Sequence, residues 1–143
     1  MTLNISATWY QPVALSLARS GLIYDCPEIE KVPQTAGVYV FGRRFGDYIS
    51  PLYVGRAANL QQRLLQHLNS VKLMLGIKNA QAGERFFMCC EVNPKRGQKI
   101  GKVLEILESA LLSHLLSEGH ELLQIQGTRA LCFWHYAYPA LVR

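Results

Sequence analysis

Tyr39 and Tyr53, with 13 residues between them, each sit in a short run of β-branched and aromatic residues. Taken singly they are ordinary strand aromatics. Arg63 lies ten residues beyond Tyr53, and His67 follows four residues later. At that spacing on a helix a guanidinium and an imidazole are neighbours on one face. Such a pair is either a clamp for phosphate oxygens or simply a solvated surface. Glu108 stands one turn from Leu104 and Leu112 and is flanked by Leu107 and Leu111, whereas Glu105 lies farther round. Its carboxylate therefore leaves a helix at the edge of, or inside, an apolar arc. If it is buried it needs a cation, which a metal, an arginine or a lysine would supply; at the edge it would reach water instead.

The elements that must carry these groups can be read from the pattern around them. Residues 37–41, ending at Gly42, and 52–55 predict two strands, joined by a longish basic loop that contains Arg43, Arg44, Gly46, Asp47, Ser50 and Pro51. Asn59 is a helix cap with Gln62 three residues on, and Leu60, Leu64 and Leu68 continue an amphipathic helix to about Asn69. A third strand is expected over 85–92, ended by Asn93 and Pro94, then a basic loop with Lys95, Arg96 and Lys99. Ile100, Val103, Leu104, Leu107, Leu111 and Leu115 predict a long helix over 100–117, stopped by Gly119. Residues 13–19 suggest a short helix stopped by Gly21, a turn-rich stretch around Pro27 and Pro33 follows, and 130–136 suggest a last strand.

At 143 residues the chain is the size of one domain, enough to bury roughly 68% of its unfolded surface without disulfides or structural metal. Half the residues are apolar and 17% charged, which excludes a disordered chain. No apolar run approaches the roughly 20 residues of a bilayer span. Met1 to Ser6 carry no basic stretch leading into an apolar one, so the expectation is no signal peptide and a cytoplasmic protein, with delivery as a toxin left open. Four cysteines, two of them adjacent at 89 and 90, lack metal-ligand spacing and read as buried reduced thiols. The formal charge of +5 is compatible with a polyanionic partner, nucleic acid first, and equally with an ordinary basic protein.

Taken in order, these segments resemble a known family. Gly37, Val38 and Tyr39, followed by Tyr53, Val54 and Gly55, are similar to the paired tripeptides of the GIY-YIG nuclease superfamily. The run from Tyr53 through Arg56 to Arg63 and Leu64 resembles the family's continuation, with its arginine ten residues after the second tyrosine. His67 falls where members carry His or Tyr, and the segment around Glu108 is similar to the one bearing the family's metal-binding glutamate. The family usually has an asparagine in the loop after that helix; Gln124 is the counterpart here. The resemblance covers about Ala36 to Gly127 and leaves out the first 35 residues and the tail after Thr128.

The resemblance implies a small α/β (α+β) domain with a central, mostly antiparallel three-stranded sheet flanked by helices. Residues 1–35 would be an N-terminal extension packing on a domain that spans 36–143 and includes a C-terminal addition. The implied activity is metal-dependent hydrolysis of phosphodiester bonds in DNA, with Mg²⁺ or Mn²⁺ as cofactor. Catalytic roles would fall to Tyr39, Tyr53, Arg63, His67 and Glu108: Glu108 holds the metal, Arg63 clamps non-bridging oxygens, and a tyrosine or His67 is the base, which one being open. A phenolate at Tyr39 would need nearby positive charge, with Arg56 and His67 as suppliers. Arg56, Arg43, Arg44, Lys95, Arg96 and Gln124 would bind substrate, whether single-stranded, branched or duplex DNA. The tail aromatics Phe133, Trp134 and Tyr136 are either a core strand or a stacking surface for unpaired bases. Rival readings are a catalytically weak or inactive nucleic-acid-binding module of the same fold, and an interaction domain with no nucleic-acid role.

Overall fold

The structure, a computed structural model, describes residues 4–18 and 21–124. Among these, the chain forms β1 (Ser6–Trp9), β2 (Val13–Leu17), β3 (Tyr24–Asp25), a 3-10 turn, β4 (Gly37–Phe45), β5 (Tyr48–Ala57), α1 (Leu60–Leu68), α2 (Val71–Lys78), β6 (Glu84–Asn93) and α3 (Ile100–Ser117). The sheet runs β3-β2-β6-β4-β5, every pairing antiparallel, with β1 also on β6. The mixed α/β class is as expected, and β4 lies between β5 and β6. The sheet is six-stranded rather than three-stranded among the described residues, because the N-terminal segment supplies strands along the free side of β6. The strand expected over 130–136 lies outside the described residues.

Two local expectations fail for physical reasons. Residues 13–17 are a strand, not a helix: Val13 and Leu15 are buried while Ala14 and Ser16 are exposed, and Val13, Ala14 and Leu15 pair with Phe87, Phe86 and Arg85. A period of two and a waiting ladder outweigh the helix preference of Ala and Leu. The expected loop between the hairpin strands is itself strand. Phe45 pairs with Tyr48 across a two-residue turn in which Gly46 takes φ +63°, a left-handed conformation that suits tight hairpins. Arg43 and Arg44 are thus ladder residues opposite Ser50 and Ile49. Leu52 bulges out of register between Phe41 and Gly42, and Pro51 is tolerated because β5 is the outer strand among the described residues.

The helices follow their caps. Asn59 accepts from the Gln62 amide at 3.0 Å and opens α1; Ser70 accepts from the Leu73 amide at 3.3 Å and opens α2, a helix with no counterpart in the expected elements. Gly119, at φ +91°, follows the end of α3. The sheet's two faces have separate cores. Tyr39, Phe41, Phe87 and Cys89 face α1 and α2 through Leu60, Leu64, Met74 and Ile77. Val38, Cys90 and Val92 meet Val103 and Leu104 of α3, and Val40 and Val54 meet Leu122. Fully burying side chains of this size contributes about 1.5–3 kcal/mol apiece.

Two further devices hold the layers. Buried Arg85 donates to carbonyls of Ile77 (2.8 Å), Gly83 and Ala80 (3.0 Å), tying down the end of α2 and the turn beyond it. After α3 the chain crosses the edge of β5: Leu122 enters the core on the α3 side, and Leu123 packs against Gly76 of α2 on the other. Gln124 completes this strap by accepting from Val54 N and donating to Val54 O.

Candidate active site

Glycines decide how closely the expected site residues approach. Tyr39 on β4 pairs with Gly55 on β5, and the phenol ring lies across the glycine. A Cβ at position 55 would overlap Tyr39 Oη and Cζ and fall 2.9 Å from Cε1. Gly37 plays the same part at the start of β4, where a Cβ would collide with the Cys90 carbonyl and sit 2.7 Å from Leu60 Cδ1. Both glycines are therefore required by close packing, not by a turn.

From over Gly55 the Tyr39 hydroxyl reaches His67 Nε2 at 2.6 Å. Rings surround the imidazole: Tyr39, Phe41 and Tyr53 have centroids 5.5, 5.7 and 5.6 Å from it, and Phe87 stacks on Tyr39 at 5.3 Å. Burial among these rings, helped by the Arg63 guanidinium, pushes His67 down to about 4, so the imidazole is neutral near pH 7. The same burial raises Tyr39 well above an ordinary phenol; Tyr53 and Glu108 add to the rise and Arg63 opposes it. Tyr53 is raised too, by burial first and Glu108 second, again against Arg63. This corrects the expectation that Arg56 and His67 would supply positive charge to Tyr39. His67 is neutral in its aromatic box, and the cation acting on the phenols is Arg63.

The acid of the long helix joins the group from the other side of the sheet edge. Glu108 Oε1 accepts from Arg56 Nη1 at 2.8 Å, with the two side chains 26% and 45% exposed. Arg56 follows Gly55 on β5 and so points to the opposite face, toward α3. Of the three cations allowed for Glu108, an arginine is present. A pair this exposed adds no more than about 1 kcal/mol to the fold. Tyr39, Tyr53 and His67 thus meet beside Arg63, at the open end of the β4–β5 hairpin under α1, and the charge of Glu108 acts on both phenols from the α3 side, where it is paired with Arg56. Among the described residues no three His, Cys, Asp or Glu side chains gather into a metal-binding group. A single carboxylate fits Mg²⁺, which keeps several waters and takes one or two protein carboxylates plus substrate oxygens.

The remaining expected residues lie apart from this locus or are engaged with protein groups. Arg43 donates to Ala82 O (2.8 Å) and Gln81 Oε1 (3.0 Å) and lies over the Tyr48 ring at 5.7 Å. Arg44 is exposed near the hairpin tip, and Lys95 and Arg96 are exposed in the turn before α3. Gln124 spends both ends of its amide on Val54, as the strap requires. Phe133, Trp134 and Tyr136 lie outside the described residues. Two contributors escaped the sequence reading. Phe41 packs against the imidazole and Phe87 backs Tyr39 and Phe41, roles visible only in the cross-strand register that sets Phe41 opposite both Tyr53 and Phe87. No family model, no characterised protein and no solved structure matches the chain.

Proposed function

We propose that the chain is a metal-dependent endonuclease of the GIY-YIG type that hydrolyses phosphodiester bonds in DNA. The observation that carries this reading is the cluster of two phenols and an imidazole beside a guanidinium, with the charge of the Glu108 carboxylate acting on both phenols, the groups coming from four separate elements. Phosphodiester hydrolysis asks for neutralised charge on the non-bridging oxygens and an in-line nucleophile. Arg63 takes the first task. Glu108 would hold Mg²⁺, which when bound polarises the phosphate and stabilises the leaving oxygen.

Tyr39 and His67 handle the proton. As water attacks phosphorus, its proton passes to Tyr39 Oη while the Tyr39 proton moves to His67 Nε2 across the 2.6 Å bond. The bond from phosphorus to the leaving oxygen breaks, and that oxygen takes a proton from solvent. An imidazole held near 4 is a weak base in the free protein. A phosphodiester beside it sets a negative charge against Arg63 and raises its basicity within the complex. Tyr53 orients the water or the phosphate.

Two observations favour the alternative, an inactive or weak nucleic-acid-binding module. Tyr39 is only 1% exposed, and Glu108 is already paired with Arg56. Mg²⁺-titrated cleavage of plasmid and of DNA and RNA oligonucleotides decides between the two. Glu108→Ala is expected to cut at least about a thousandfold more slowly while folding normally, consistent with the loss of a group acting on transition-state charge. Parent chain that retards nucleic acid without cutting it establishes the binding module, and Glu108→Ala that cuts at the parental rate removes the glutamate from the mechanism.

A further inference from the structure

A second concave region lies away from the catalytic locus, between the turn end of the β4–β5 hairpin, α2 and the strap after α3. Its volume is about 510 Å³, and Arg43, Tyr48, Ser50, Asn79, Gln81 and Glu121 are in its lining. That size suits a small organic group. We infer that this groove is a subsite for an unpaired nucleobase of the substrate strand. The inference rests on the nuclease reading and narrows its substrate to nucleic acid with single-stranded character near the cut.

The chemistry of the walls selects a base over a phosphate. Tyr48 is 57% exposed, and Arg43 lies over its ring with the guanidinium fixed by the Gln81 side chain and the Ala82 carbonyl. A held arginine–tyrosine pair is a flat, polarisable platform of the kind on which bases stack. Asn79, Gln81 and Ser50 bring amide and hydroxyl groups, which match the donor and acceptor edge of a base. Arg43, the arginine lining the groove, has donors already committed to protein oxygens, which leaves it less suited to clamp a phosphate. Exposed Phe45, beside Tyr48 at the tip, extends the apolar surface.

The position fits as well. Tyr48 and Tyr53 are the two ends of one run of β5, five residues apart, or roughly 16 Å of strand. A strand whose phosphate sits at Tyr53 and Arg63 would bring a nucleotide a few positions away to the groove. A paired base keeps its edge in the duplex and its faces in the stack, so only an unpaired one can enter.

The test measures binding of fluorescently labelled single-stranded oligonucleotides and of fully paired duplex, by anisotropy, in EDTA so that nothing is cut. Tyr48→Ala is expected to weaken single-strand binding roughly tenfold and leave duplex binding unchanged, whereas Tyr48→Phe keeps the parental affinity. Equal weakening on duplex and single strand, or no weakening at all, overturns the subsite. Unlabelled nucleoside that displaces the parent's bound single strand no better than it displaces the Tyr48→Ala variant's does so too. Cleavage of the same oligonucleotides with Mg²⁺ is scored separately. A Tyr48-dependent grip without any cutting counts against the nuclease and for the subsite; cutting with no Tyr48 dependence counts the other way.

Discussion

At the open end of the β4–β5 hairpin, Tyr39 is 1% exposed, its ring pressed onto Gly55 and its hydroxyl bonded to a half-buried imidazole. At the turn end of the same hairpin, Tyr48 is 57% exposed, beside Phe45 and under an arginine. The same residue type on the same pair of strands therefore does two different things. Burial turns one phenol into a group whose proton is under tight control; exposure leaves the other a plain aromatic surface. The two glycines separate in the same way. Gly55 is required by what lies against it, and Gly46 by its own backbone angle, with nothing within 4 Å of a Cβ placed there.

That contrast can be broken at either end. Gly55→Ala drives a methyl into the Tyr39 ring, deep in the core, and is expected to cost about 3 kcal/mol or more in urea-unfolding stability. Stability within about 1 kcal/mol of the parent would mean that the phenol is free to move aside. A smaller effect sharpens the contrast through protons. In the window from about 6.5 down to about 4, the unfolded chain binds a proton at His67 that the folded chain refuses. Stability is therefore intact above that window and falls on acidification through it, by roughly 2 kcal/mol once solvent screening is allowed for. Denaturant titrations at pH 7, 5.5 and 4.5 read this directly, and His67→Gln should flatten the slope. Parallel losses in parent and variant would assign the acid sensitivity elsewhere. Smallest is Gly46→Ala, which meets no atom and bears only the strain of a left-handed alanine, about 1 kcal/mol. A loss as large as that at Gly55 would erase the distinction between the two ends.

How much of this was legible in the sequence depends on whether the deciding interaction was local. The span of α3 was readable from the apolar repeat and Gly119, α1 from its Asn59 cap, and β6 from its aromatic and β-branched run. Residues 13–17 were misread because Ala and Leu favour a helix, and the ladder that overrides them belongs to β6, some 70 residues away. The hairpin was cut short because Arg43, Arg44, Ser50 and Pro51 look like loop residues; Arg43 and Arg44 are held in the inner strand β4 by pairing on both sides, and the bulged outer strand β5 tolerates Ser50 and Pro51. Helix α2 was hidden by Gly76, whose small size is set by Leu123 against it. At the site, order and spacing named the chemical groups. Their protonation was not legible, since it follows from Tyr39, Phe41 and Tyr53 closing around His67, and so the expected imidazolium is an imidazole.

The strap after α3 has a consequence for how the molecule meets its own copies. An edge strand ordinarily offers its amides and carbonyls to any passing strand, the usual first step toward fibrous association. At Val54 the side chain of Gln124 occupies both backbone groups in the manner of a neighbouring peptide unit, while Leu122 and Leu123 grip the margin from either side. An incoming strand would first have to peel this clasp away, so the chain guards its own border against polymerisation at that step of the ladder.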